Sequence, residues 1–147
     1  MSDESKYRRY AEKIRIFNGL DPGEVEYILH NGKILVFREG QTVFFEGQLG
    51  SNLFVVLSGR IGIFKKNKQI ATCVVGDAFG EMAVLNHEPR TATAAALCET
   101  KLFTLDEKQI NGILEKHVAV RMLLNIIHVL SERLETVNEQ LANMAKL

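Results

Sequence analysis

Ten of the eleven glycines fall between Gly19 and Gly80, the two prolines are Pro22 and Pro89, and the chain from Ile113 to Leu147 contains neither residue type. Glycine and proline interrupt regular structure, so this distribution predicts a turn-rich body followed by one long uninterrupted helix. The body begins helical. Residues 4–17 and 22–30 read as two short helices, the second with Asp21 as N-cap and Pro22 at its first position.

Strand signals then follow at short intervals: Lys33–Arg38, Thr42–Phe45, Leu53–Leu57, Arg60–Lys65, Gln69–Val75, Thr91–Leu97 and Lys101–Leu105. Turn residues separate them at Glu39-Gly40, Gly47 to Asn52, Ser58-Gly59 and Lys66-Asn67-Lys68. About seven short strands at this spacing indicate a β-sandwich or barrel and not βαβ units. Asp106 opens a further helix, with Gln109 in the capping-box position and Ile110, Ile113 and Leu114 on one apolar face. His117 marks the joint to the long helix.

A chain of 147 residues has room for one domain. Lys+Arg and Asp+Glu both number 18, so the net charge is zero. A neutral chain is a poor candidate for binding nucleic acid through a general basic surface, which says nothing against a local charged pocket. Two cysteines, Cys73 and Cys98, exclude a disulfide scaffold and a cysteine-rich metal centre. No apolar signal segment follows the polar start Met1-Ser2-Asp3-Glu4, which leads us to expect a reducing, cytoplasmic setting.

In the long helix, Leu123, Ile127, Leu130, Leu134, Val137, Leu141 and Met144 alternate spacings of four and three, a heptad seam. Packing on the chain's own sheet suits Val118 to Leu130, where the apolar face is wide. Self-pairing with a second copy suits Leu134 to Met144 better, because the stripe narrows between Glu, Asn and Gln. A membrane span is not expected, since Arg121, Asn125 and His128 break the apolar run.

Chemistry concentrates in Gly76 to Ala94, where the strand pattern stops at Val75 and restarts at Thr91. Glu81 to Leu85 can form about one helical turn opened by Gly80, and a helix start behind a glycine presents unpaired N–H groups to an anion. Arg90, nine residues after Glu81, adds bidentate donors for phosphate or carboxylate, and Thr91 adds a hydroxyl. Glu81 can only accept hydrogen bonds, which suits a sugar hydroxyl. These parts fit a sugar phosphate or nucleotide. They also fit a plain Glu81–Arg90 ion pair across a β-crossover.

The run Phe79-Gly80-Glu81-Met82-Ala83-Val84, then four residues, then Pro89-Arg90-Thr91-Ala92-Thr93-Ala94 resembles the phosphate-binding cassette of the cyclic-nucleotide-binding domain family. That family includes the catabolite activator protein and the regulatory subunits of cyclic-nucleotide-dependent kinases. The stretch Glu46-Gly47 to Gly59, with Phe54-Val55-Val56-Leu57-Ser58-Gly59-Arg60-Ile61, is similar to the family's early strands, and Gly76-Asp77 to the approach to the cassette. The resemblance implies a mainly β fold with flanking helices: a β-roll of the double-stranded jelly-roll type, N-terminal helices and a long C-terminal helix. It implies one domain over 1–147, with N-terminal helices at 4–32, the roll at 33–105 with its cassette at 76–94, and C-terminal helices at 106–147.

The same resemblance implies that Arg90 binds the cyclic phosphate and Glu81 accepts the ribose 2′-hydroxyl. Gly80 brings backbone against the sugar phosphate, and Thr91 donates to phosphate or base. Phe79, Met82, Ala83 and Ala92 complete the ligand-binding set, and Thr136 and Asn138 are the polar candidates near the base. The implied ligand is cAMP, with cGMP kept open because one hydroxyl contact is worth only ~0.5–1.5 kcal/mol. No cofactor or metal is expected. A homodimer through the heptad seam is.

Transcription regulators of the family follow the long helix with a helix-turn-helix domain, whereas this sequence stops at Leu147, so direct DNA binding by these residues is not expected. An enzyme is not expected either. His30, His87, His117 and His128 are not paired at metal-ligand spacing, and no nucleophile has a base motif beside it. The alternative is a protein-interaction module on the same fold, with no ligand and the long helix as its functional part. The expected function is otherwise a cyclic-nucleotide sensor that transmits binding through its C-terminal helices.

Overall fold

The computed structural model describes residues 3–113 and 117–145. Helix α1 (Asp3–Lys13) is followed by a single 3-10 turn at Arg15–Phe17, then α2 (Pro22–His30). The first helix therefore ends earlier than the expected residue 17. Ile14 is extended, at φ −94° and ψ 112°, and Ile14, Ile16 and Phe17 are all buried. A straight helix cannot aim three residues at such spacing into one core, so tertiary burial breaks it. Asp21 caps α2 as a full capping box: its side chain accepts from Glu24 N, and Glu24 reaches back to Asp21 N.

Eight strands follow: β1 (Lys33–Phe37), β2 (Thr42–Phe44), β3 (Asn52–Ser58), β4 (Ile61–Lys65), β5 (Lys68–Cys73), β6 (Ala78–Phe79), β7 (Thr93–Ala96) and β8 (Thr100–Asp106). One sheet has the order β1-β8-β3-β6 and the other β2-β7-β4-β5, with antiparallel pairing throughout. The expected β-roll is present. Strand β6 is an addition: the segment expected to be bare of strand between Val75 and Thr91 pairs Phe79 with Phe54 and Ala78 with Val55.

Strand β3 explains the layering. Leu53, Val55 and Leu57 point to a core shared with Phe17, Val25, Ile28 and Phe103 under the N-terminal helices. Phe54 and Val56 point the other way, into a core between the sheets with Phe44, Ile61, Phe79 and Leu102. A strand buried on both faces has to be apolar at every position, as Leu53 to Leu57 is. Thr104, buried on β8, donates its hydroxyl to Leu53 O at 3.0 Å.

Helix α3 (Glu81–Asn86) spans the cassette turn, and α4 (Glu107–Ile113) is capped as expected by Asp106 and Gln109. Helix α5 runs from His117 to Ala145. Leu114, the last residue of the apolar face expected on α4, lies outside the described residues. Met122 and Val129 of α5 are buried, Leu123 and Leu130 half-buried. The stripe left exposed is Val120, Leu124, Ile127, Leu134, Val137, Leu141 and Met144. The expected seam is thus partly drawn into the body at Leu123 and Leu130, and the exposed face gains Val120 and Leu124 in their place. The side chain of Asn125 fastens α5 to the 3-10 turn, donating to Ile16 O at 2.9 Å and Asn18 O at 2.8 Å. No described helix is long and apolar enough to cross a membrane.

Candidate functional site

The chain leaves β6 at Phe79 and enters α3 through Gly80, whose φ of +80° is left-handed. A Cβ there would also lie 2.7 Å from Arg90 Nη1 and 3.1 Å from Asn52 O. Glycine is therefore required both by conformation and by the closeness of the arginine. Arg90 Nη1 donates to Gly80 O and Nη2 to Asn52 O, each at 3.0 Å. The backbone of Arg90 is held in both directions by the loop after β2: Gly47 N donates to Arg90 O at 2.7 Å, and Arg90 N donates to Gln48 O at 2.9 Å.

The guanidinium carbon sits 4.2 Å from the centre of the Phe44 ring and 5.6 Å from that of Phe54. Phe44, Phe54 and Phe79 form one aromatic cluster, with centroids 5.3–5.9 Å apart. Arg90 is 6% exposed. Burial lowers its pKa from the ordinary arginine value, and the nearby Glu81 carboxylate acts in the opposite sense. The group remains a cation, and no ion pair between Arg90 and a carboxylate is formed among the described residues. The simple Glu81–Arg90 pair, the plain alternative reading of this segment, is not formed.

A cleft of about 280 Å³ opens over these groups. Phe79, Gly80, Glu81, Ala83, Arg90, Thr91 and Ala92 line it, so seven of the expected site residues come together there. The side chain of Met82 lies outside the described residues. Thr136 and Asn138 do not line the cleft and are exposed on α5. The residue that α5 brings to the cleft is Arg133, about one turn earlier. Its Nη2 donates to Ala78 O at 3.2 Å and lies 3.5 Å from Asp77 Oδ1.

Arg133 was not expected at the site. Its one signal is position, four residues after the buried Val129 and so on the same helical face. Phe44 was not expected either; its signal is the strand alternation that turns it inward while Phe45 stays exposed. Cys73 and Ile63 add apolar wall. Burial pushes the Cys73 thiol up to about 11, with Arg133 opposing the shift and Asp77 and Glu81 reinforcing it. His87 lies at the exposed end of α3, 3.6 Å from Glu107, and no cluster of three or more His, Cys, Asp or Glu side chains suited to a metal occurs among the described residues.

Two antiparallel sheets with a cleft that ends on a buried arginine beneath a glycine-led helical turn define a β-roll domain. The family model described as "Cyclic nucleotide-binding domain" matches residues 34–117, and the chain belongs to this family. It is 33% identical over 95 residues to the cyclic AMP receptor protein of Thermus thermophilus, covering 61% of this chain and 44% of that protein. It is 29% identical over 114 residues to the cGMP-dependent protein kinase of Toxoplasma gondii, covering 77% of this chain and 12% of the kinase. Its fold is similar to the crystal structure of the Thermus thermophilus catabolite activator protein, with a TM-score of 0.77 at 26% identity over 89% of this chain and 63% of that chain. The chain spans less than two-thirds of the length of each of these relatives.

Proposed function

We propose that this domain is a cyclic-nucleotide sensor that binds cAMP, with cGMP as the competing ligand, and passes binding on through its C-terminal helices. The observation that carries this reading is Arg90: a cation 6% exposed, without a carboxylate partner among the described residues, lining a cleft of about 280 Å³. A desolvated charge is costly unless an opposite charge meets it, so the site favours an anion. The volume falls near the lower end of small-ligand sites, roughly 300–1,000 Å³.

In this reading Arg90 binds the cyclic phosphate. Glu81, half-buried at the start of α3, accepts the ribose hydroxyl, and the Gly80 backbone approaches the sugar phosphate. Thr91, exposed at the rim, donates to phosphate or base, while Ala83 and Ala92 keep the walls close. Ile63, Ala71 and Cys73 supply an apolar wall for a purine face. Transmission is supported by two links. Val84 of α3 shares a buried cluster with Met122 of α5, and Arg133 ties α5 to Asp77 and Ala78. The side chains of Met82 and Leu85, on the same helix, lie outside the described residues.

The role is regulatory, with no catalytic step assigned to the chain, and its two free thiols suit a cytoplasmic setting. A homodimer forms in this reading along the exposed α5 stripe. That stripe is also what favours the second reading, a ligand-free interaction module. Isothermal titration with cAMP and cGMP separates the two. Saturable binding by the parent is expected, about ten- to hundredfold weaker in Arg90→Ala and more modestly weaker in Glu81→Gln. A parent that binds neither nucleotide leaves the interaction module as the function.

A further inference from the structure

The Arg90 guanidinium is held by the Gly80 carbonyl, the Asn52 carbonyl and the face of the Phe44 ring, with the Phe54 ring farther off at 5.6 Å. The two carbonyls take the outer edge of the guanidinium. Phe44 covers one of its flat faces, at 4.2 Å. The ring is itself held, 9% exposed and packed at 5.7 Å on Phe54 and 5.9 Å on Phe79, the residue immediately before Gly80. Gly50 packs closely on the guanidinium from the loop side, where a Cβ would lie 3.2 Å from Arg90 Nη2.

We propose that Phe44 is a positioning residue for anion binding, holding the Arg90 guanidinium with its ring face and leaving the charge available to the ligand. A carboxylate at this place would hold the arginine harder but would also neutralise it, and an incoming monoanion would have to displace it. The aromatic quadrupole attracts the cation without carrying net charge. The buried cation is thereby kept in one place without a carboxylate in contact with it, since Glu81 acts on it only from a distance. Without the Phe44 ring, the two edge hydrogen bonds and the more distant Phe54 ring, at 5.6 Å, remain, and the guanidinium gains alternative orientations. Apparent affinity then falls by the fraction of molecules left in the competent one. The identity of the anion rests on the cyclic-nucleotide reading; the positioning of Arg90 does not.

The test is a graded replacement of Phe44 by mono-, tri- and pentafluorophenylalanine, alongside Phe44→Leu, with cAMP affinity measured by titration. Fluorine withdraws π density while leaving the ring shape nearly intact. Affinity should fall stepwise with fluorine number, reaching a loss of about three- to tenfold, and Phe44→Leu should lose a similar amount. Phe45→Leu on the neighbouring exposed residue should bind like the parent. Fluorinated variants that bind like the parent, while Phe44→Leu weakens, reduce the ring to packing and overturn the proposal; so does a Phe44→Leu that binds like the parent. If the parent binds no cyclic nucleotide, the Arg90 Nε–H resonance still decides the positioning. Ring current should shift it upfield in the parent and not in Phe44→Leu, whereas equal shifts in the two proteins reject it.

Discussion

At Gly80 a backbone requirement and a side-chain requirement fall on the same atom. A left-handed φ costs an ordinary residue about 1–2 kcal/mol, and here the added methyl would also press on the arginine. Gly80→Ala should therefore destabilise the fold by about 1–3 kcal/mol in urea denaturation and weaken nucleotide binding along with it. Stability loss with unchanged affinity would separate the turn from the site. Cys73 gives a second prediction. Its folded pKa, raised from 9.0 to about 11 mainly by burial, means the folded chain holds this proton more tightly than the unfolded one. The resulting stabilisation is complete below about pH 9 and is lost as pH rises toward 11, about 2–3 kcal/mol in all. The stability difference between the parent and Cys73→Ala should shrink by that amount between pH 8 and pH 11, and a difference independent of pH would exclude it. Arg90 and Glu81 could be read from the sequence because the cassette is local and its residues stand within ten positions of one another. Arg133 could not: its partner Ala78 is 55 positions away, and no local pattern records such a meeting.

Among the elements, those legible in advance were the ones whose signals are local. The N-cap at Asp21, the capping box at Asp106 and the short strand runs of β4 and β8 bounded by turn residues depend on residues a few positions apart. Strand β6 was not legible, because two residues carry no period and its existence depends on β3 lying beside it. The break at Ile14 has the same origin, since it serves a core assembled from distant strands. The contact of Asn125 with the 3-10 turn is likewise non-local and has a measurable consequence. One amide satisfies two backbone carbonyls, so Asn125→Ala should cost about 1–3 kcal/mol and speed amide exchange at residues 15–20. Glu132 reinforces this junction through Arg15 and His128, and the Arg15 hydrogen bond is the main cause holding its carboxyl below the usual range. That contribution is present above the ordinary carboxylate pKa and lost as acid titrates through the lowered value. Parent stability should therefore lose this contribution as pH falls through the carboxylate range, and Glu132→Gln, compared with the parent by urea denaturation at each pH, should lack the junction's share of that fall.

On the scale of the whole molecule, the cleft and the exposed apolar stripe of α5 meet at two adjacent residues of one helix. Arg133 lines the cleft, and Leu134, 62% exposed, belongs to the outward stripe with Val137, Leu141 and Met144. A second copy packed along that stripe would fix the rotation of α5 and hence the position of the Arg133 guanidinium at the cleft mouth. Pairing and nucleotide binding are then coupled, and coupling between two binding equilibria is reciprocal. Replacing Leu134 and Leu141 together by Glu places like charges in the seam and should yield a monomer in sedimentation analysis. That monomer should bind the nucleotide severalfold more weakly than the dimeric parent, and the nucleotide should tighten parent dimerisation by the same factor. Equal affinity in monomer and dimer would mean that α5 pairs independently of the cleft. In that event the arginine–aspartate contact at Asp77 holds Arg133 unaided, and the route from ligand to helix runs through Val84 and Met122 instead.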